Sequence, residues 1–427
     1  MDDDTEMRPR TTTLMYQTAA RAWLTLAGGS ILLPVGARLG FWLPLHLALA
    51  GAVSVAIAGA MQNFTVALTA TGSPPERWTW AQFAAMNVGV ALIALGRPLA
   101  LPAIVGVGGA SFVAGAVILL AIIRRANRRS LLERHRLPVR MYGFAVACII
   151  VGGTFGALMG AEAIHDGTAY VALLHAHMTI NVLGWVSVTI VATLVTLLPS
   201  TLRIKMPSWH GTVAAALLGG GAIGLALGLA IDVTAVVALG GLSELAGVLG
   251  AAWMVSKVLR TRRRWPIPIS ALHLLAGFTW FTIGSVALAI SASHGAAGFE
   301  AFYLDFLTIF VGGWIVQVLL GAWAFLLPMA RPGHPDVHRA GLIAIEFAAP
   351  VQLMTLNVGI GLMALRAAGW VGATAGSVGV RLALLGGAIA LGKAWLFPAL
   401  ATRGLSDHRG EAVWGRPEPS GTGGGDG

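Results

Sequence analysis

Apolar residues run through this chain in long stretches, broken by short segments that carry charge, glycine or proline. Twelve stretches can be delimited, at 19–37, 41–70, 78–97, 99–123, 141–164, 171–199, 211–231, 233–259, 269–292, 303–329, 340–366 and 374–400. A helix rises 1.5 Å per residue, so about 20 apolar residues cross the hydrocarbon core of a bilayer. The pattern predicts an all-α, polytopic membrane bundle of about 12 transmembrane helices, forming a single domain over 19–403. Residues 1–18 read as a cytoplasmic N-terminal tail, and 404–427, ending PEPSGTGGGDG, as a disordered cytoplasmic tail.

Composition sharpens this picture. Of 427 residues, 56% are hydrophobic and only 11% charged, with a mean hydropathy of +0.78. Soluble domains carry about 25% charged residues, so a water-solvated globule is excluded. The single cysteine, Cys148, excludes a disulfide scaffold and reads as a small packing residue within its span. MDDDTEMRPR at the start is acidic and has no apolar run of its own, so no cleaved signal peptide is expected.

The charge is most informative by position. With the N-terminus in the cytoplasm, the inner segments hold 23 of the 28 Lys and Arg residues, and the outer loops hold Arg38, Arg97 and Arg366. Arg381 and Lys393 fall within the last span. Positive-inside bias then predicts both termini inside and an even number of spans. The net charge of +10 is accordingly a topology signal, with the lipid bilayer as partner and no nucleic acid. Twenty-five of the cations are Arg, which with the abundance of Ala and Gly suggests a GC-rich bacterial genome and placement in the bacterial inner membrane.

One repeat is visible. GWVSVTIVATLVTLLP at 184–199 matches GWIVQVLLGAWAFLLP at 313–328, and the same offset taken back from His175 lands on His46. Spans two, six and ten are four apart, which predicts three pseudo-repeats of four helices rather than two inverted halves.

Polar groups inside hydrocarbon cost about 2.5–3.5 kcal/mol each when charged, so each calls for a reason. The start of span six, LLHAHMTINVLGW, carries His175 and His177, which point about 200° apart on a helix. His177 shares a face with Asn181 and Gly184. His46 lies at the same outer depth behind Pro44, so the three imidazoles form a candidate metal or haem site on two helices. Arg366 and Arg381, on the outer side, are candidate partners for haem propionates or simply snorkel to water. Glu244 and Glu346 lie within apolar runs and, with Gln317, would suit a transport path; Gln352 and Asn357 add polarity without specifying chemistry. His273 opens span nine on the opposite side. Pro335, between His334 and His338, argues for a loop there. CxxCH, nucleotide-loop, HExxH and cysteine-cluster motifs are all missing from the sequence.

Twelve spans, inner termini, a four-helix repeat and outer-side histidines on spans two and six resemble subunit I of the haem-copper oxidases. The HAHMTINVLGWVSVTIVATLVTLLP stretch resembles divergent relatives, the NnrS-type proteins and the membrane portion of actinobacterial copper-oxidase-like proteins. The resemblance implies haem b and/or copper as cofactor, held by His46 and by His175 or His177, and a redox partner protein. The chain departs from the family in span ten, which has no His, and in span seven, where His210 at the inner end is the only candidate. Thr179 and Asn181, not Tyr, follow four residues after the span-six histidines. The expectation is a redox or nitric-oxide-related membrane protein that is not an oxygen reductase. A multi-pass transporter and a cofactor-free scaffold or assembly partner are the alternatives.

Overall fold

In the computed structural model, residues 8–32, 39–130, 132, 135–205, 211–262, 266–330 and 335–412 are described. They form thirteen helices: α1 (Pro9–Ser30), α2 (Trp42–Thr69), α3 (Glu76–Gly96), α4 (Pro102–Arg128), α5 (Arg136–Gly160), α6 (Gly167–Thr201), α7 (Thr212–Ala230), α8 (Thr234–Thr261), α9 (Ile269–Ala292), α10 (Gly295–Ala330), α11 (Pro335–Glu346), α12 (Ala349–Ala367) and α13 (Ala373–Ala412). Ten of these are long and apolar enough to cross a membrane. The exceptions are α1, α11 and α12.

Three differences from the sequence reading have local causes. Pro9 begins α1 ten residues before the first apolar stretch, because a proline at the first helical position gives up no hydrogen bond. For the same reason Pro335 starts α11 instead of imposing a loop. The eleventh stretch is broken at Phe347 and Ala348, where Ala348 takes a left-handed conformation (φ 52°) ahead of Pro350. Arg38, His210 and His334 lie outside the described residues.

The helices fall into three four-helix blocks, α1–α4, α5–α8 and α9–α13, the short α11 being an additional helix within the third. The second helix of each block is the inner one: 56, 89 and 67% of the apolar windows of α2, α6 and α10 are buried, against 22–50% in the other spans. Each inner helix opens into a π-helical turn, at Leu47–Val53, Ile180–Ser187 and Leu307–Val316. Each turn carries a glycine packed against the first helix of its block: Gly51, Gly184 and Gly313. A Cβ there would stand 2.8 Å from Trp23 Cγ, 2.8 Å from Cys148 Sγ and 2.7 Å from Trp280 Cγ, each on the first helix of its block. Cys148 is therefore a packing residue, as its setting in the sequence suggested.

One residue beyond each of these glycines stand Ala52, Trp185 and Trp314, and three beyond stand Ser54, Ser187 and Val316. The buried indole of Trp314 donates to Ser187 Oγ (3.0 Å), and Trp185 donates to Ser54 Oγ (3.1 Å). Each serine in turn donates to a carbonyl five residues back, Val182 or Leu49, which the wider π turn leaves open (2.8 Å in both). At the positions that would make the third such bond stand Ala52 and Val316, neither of which has a polar side chain. Aligned on the turn glycines, His46 matches Thr179, so its fixed offset from His175 is a coincidence. A repeat of three four-helix blocks nevertheless holds.

The outer helices of each block repeat too. Gly89, Gly221 and Gly359 on the third helices sit against the backbones of Phe112, Glu244 and Ala383 on the fourth, with no room for a Cβ. Without strong hydrophobic drive between spans, such close backbone approach supplies the dispersion that holds them together.

Candidate functional site

His46 ends the first turn of α2, and its Nδ1 lies 2.8 Å from the Trp42 carbonyl one turn back. The Trp42 indole stacks on its ring at 4.1 Å. His177, on α6 just before the π turn, has its Nδ1 2.7 Å from the Gly152 carbonyl of α5. The Asn181 amide faces the same nitrogen at 3.1 Å. Room for this ring comes from Gly156, where a Cβ would stand 2.7 Å from His177 Cε1.

These contacts set the chemistry of both rings. A backbone carbonyl only accepts, so each Nδ1 carries the proton and each Nε2 keeps its lone pair; at His177 the Asn181 amide then turns its otherwise unpartnered oxygen, not its NH2, toward Nδ1. No hydrogen bond among the described residues uses either Nε2. The two rings lie 6.4 Å apart with their planes within 16°. Second-atom bonding to a carbonyl is also how metal-binding histidines are oriented.

His175 is turned elsewhere. It is buried, its Nε2 lies 2.7 Å from Glu300 Oε2 at the start of α10, and its ring meets Phe299 edge-on at 5.1 Å. The sequence-predicted trio is thus divided: His46 and His177 come together, and His175 makes a separate polar contact with Glu300 between α6 and α10. The signal for Glu300 in the sequence was weak, since it lies at the edge of an apolar stretch.

Arg366 and Arg381 are both exposed, and the stem of Arg366 packs over Gly376. No hydrogen bond or ion pair among the described residues connects either arginine to the histidines. At the histidine end, Arg97 pairs with Glu162 at 3.7 Å.

The remaining polar positions are spread over the third block and α8. His273 is fully buried, with Nδ1 3.1 Å from Gln317 Oε1 and Nε2 accepting from Gln352 (2.8 Å). Gln317 donates to Asn357 (2.6 Å), which also accepts from Trp280 Nε1 (2.8 Å). Glu346 accepts from the Ile269 N–H at the start of α9 (2.8 Å). Glu244 is fully buried on α8, with neither carboxyl oxygen partnered.

Among the described residues no group of three or more His, Cys, Asp or Glu side chains converges as a metal site. The pair at the head of α2 and α6 therefore stands as a two-imidazole donor set. Imidazole nitrogen is a donor that copper and haem iron both take, and two of them fall two ligands short of a closed tetrahedral zinc site.

No family model matches the chain, and no curated protein matches it. Among solved structures, a cryo-EM structure of a heme-copper terminal oxidase dimer is similar to it, with a TM-score of 0.67 at 13% identity, covering 98% of this chain and 86% of that one. At that identity the likeness is one of fold. The chain is an integral membrane protein with a haem-copper-oxidase-like helical bundle.

Proposed function

We propose that this chain is a redox protein of the bacterial inner membrane that binds a copper ion or a haem b iron between His46 and His177. The observation that carries this reading is the imidazole pair itself. Two near-parallel rings on different helices lie 6.4 Å apart, each oriented by a carbonyl at Nδ1 and each with an Nε2 that no hydrogen bond among the described residues uses. Either group supplies one-electron chemistry when bound. Trp42 and Gly156 set the positions of the two rings, and the Trp42 and Gly152 carbonyls hold the protons on Nδ1.

The role is electron carriage or nitric-oxide chemistry with a redox partner protein, rather than oxygen reduction. The outer half of α10 carries no histidine; its buried Phe299, Phe306 and Phe310 rings pack in sequence, with centroids 5.4 and 4.8 Å apart. The resemblance of the LLHAHMTINVLGW region to NnrS-type proteins supports the nitric-oxide alternative. Metal analysis and a dithionite-reduced spectrum of the purified protein test the proposal. About one copper per chain, or a Soret band that shifts on reduction, is the expected result. A folded preparation that takes up neither, even after loading with copper or haemin, overturns it.

A further inference from the structure

At the other end of the first block, the last turns of α2, the connection to α3 and the last turns of α4 enclose a cavity of about 200 Å³. Its walls include Thr65, Thr71, Trp78, Arg125 and Arg129. We propose that this pocket binds a phosphate group, carried by an anionic lipid headgroup or by a soluble phosphate compound.

Arg125 in the last turn of α4 and Arg129, the residue that caps its C-terminus, both line the pocket. Neither guanidinium makes a hydrogen bond or ion pair among the described residues, leaving two planar forks to meet a tetrahedral anion. Thr65 is the second, independent observation. It is 1% exposed, and its hydroxyl has no partner although it lines a cavity with polar walls. Its own carbonyl is taken by Thr69 Oγ1 (2.7 Å), which also contacts Thr71 Oγ1 (2.7 Å). An unpartnered buried hydroxyl is costly, and a phosphate oxygen would accept from it.

No carboxylate competes for the arginines in the pocket wall. Among the described residues the nearest acid to the pocket in sequence is Glu76, beside the lining Pro75, and it accepts instead from Trp80 Nε1 at 3.1 Å; Glu133 lies outside the described residues. Gln62, at the inner wall, already donates to Tyr16 Oη (2.9 Å) and accepts from Thr79 (3.2 Å), so it closes the pocket rather than contributing donors. The pocket opens at the end of the bundle where the Lys- and Arg-rich connections gather, the side that faces anionic lipid when positive charge is inside.

The full chain in phosphatidylcholine nanodiscs containing a minority of phosphatidylglycerol tests this, with retained lipid counted by native mass spectrometry. The double variant Arg125→Gln/Arg129→Gln should retain about tenfold less phosphatidylglycerol, whereas Arg124→Gln/Arg128→Gln, one position round the same helix, should stay within about twofold. Thr65→Val keeps shape and volume and should weaken retention about fivefold, which guards against a folding defect in the arginine variant. In phosphatidylcholine alone, a rise in thermal midpoint with inorganic phosphate that depends on the same three residues assigns the site to a soluble phosphate. Equal losses in both double variants, or no response of the wild type to either ligand, overturns the proposal.

Discussion

At the scale of single residues, the interior is arranged around a few buried donors whose partners sit on other helices. Trp314 and Trp185 pass hydrogen bonds from α10 to α6 and from α6 to α2 through Ser187 and Ser54. Ser187→Ala strands the Trp314 N–H and should lower stability by about 1 kcal/mol, with Ser54→Ala similar, as read from thermal unfolding of the purified protein. Ser377→Ala, at an exposed position on α13, should change nothing measurable. Much at this scale was legible beforehand. The histidines, Asn181 beside His177 and the Gly-Trp pairs all stood out as polar or aromatic exceptions in apolar runs. Which histidines would meet was not, because helical periodicity gives each ring a direction but not the register between helices. Glu300 draws His175 away by its placement on a different span, which no spacing within span six could reveal.

At the scale of elements, the pairs α3–α4, α7–α8 and α12–α13 are held by glycines with no room for a side chain. Gly221→Ala would press a methyl group into the Glu244 backbone and should destabilise the protein by about 1–3 kcal/mol. Gly387→Ala on α13, where nothing lies within 4 Å, should be neutral or stabilise by about 0.5–1 kcal/mol. Thermal midpoints of the two variants measured side by side check the contrast. The helix ends explain where the pattern of apolar positions misled. Pro9 and Pro335 start helices in segments too polar to register as apolar stretches, and Ala348 breaks a stretch that hydropathy alone joins. Trp23 and Trp280, each bonded to an asparagine at matching positions of α3 and α12, carry the repeat between the first and third blocks. That correspondence is carried by isolated residues on different spans, so it leaves no contiguous match in the sequence. In the middle block Cys148 and Gly219 stand in those places, and there the bonded pair is lost.

At the scale of the whole molecule, three four-helix blocks surround α2, α6 and α10, and the histidine pair sits where the first two blocks meet. The distribution of Lys and Arg places this pair on the outer side and the Arg125–Arg129 pocket on the inner side. In a Cys148→Ala background, cysteines at Ser200 and Ser293 should react with an impermeant maleimide from opposite faces of sealed inner-membrane vesicles, Ser200 from the cytoplasmic one. Labelling from the same face would contradict the assigned orientation. Architecture was therefore largely readable from hydropathy and charge, whereas the site required the π turns and the α5 glycines that bring α6 against α2. The central claim is that His46 and His177 share one metal. Copper and haem content of the wild type, measured against His46→Ala, His177→Ala and His175→Ala after identical purification and loading, addresses it directly. The expected result is about one bound group per chain in the wild type and in His175→Ala, with loss in each of the other two; equal occupancy in all four proteins, or none in the wild type, would contradict it.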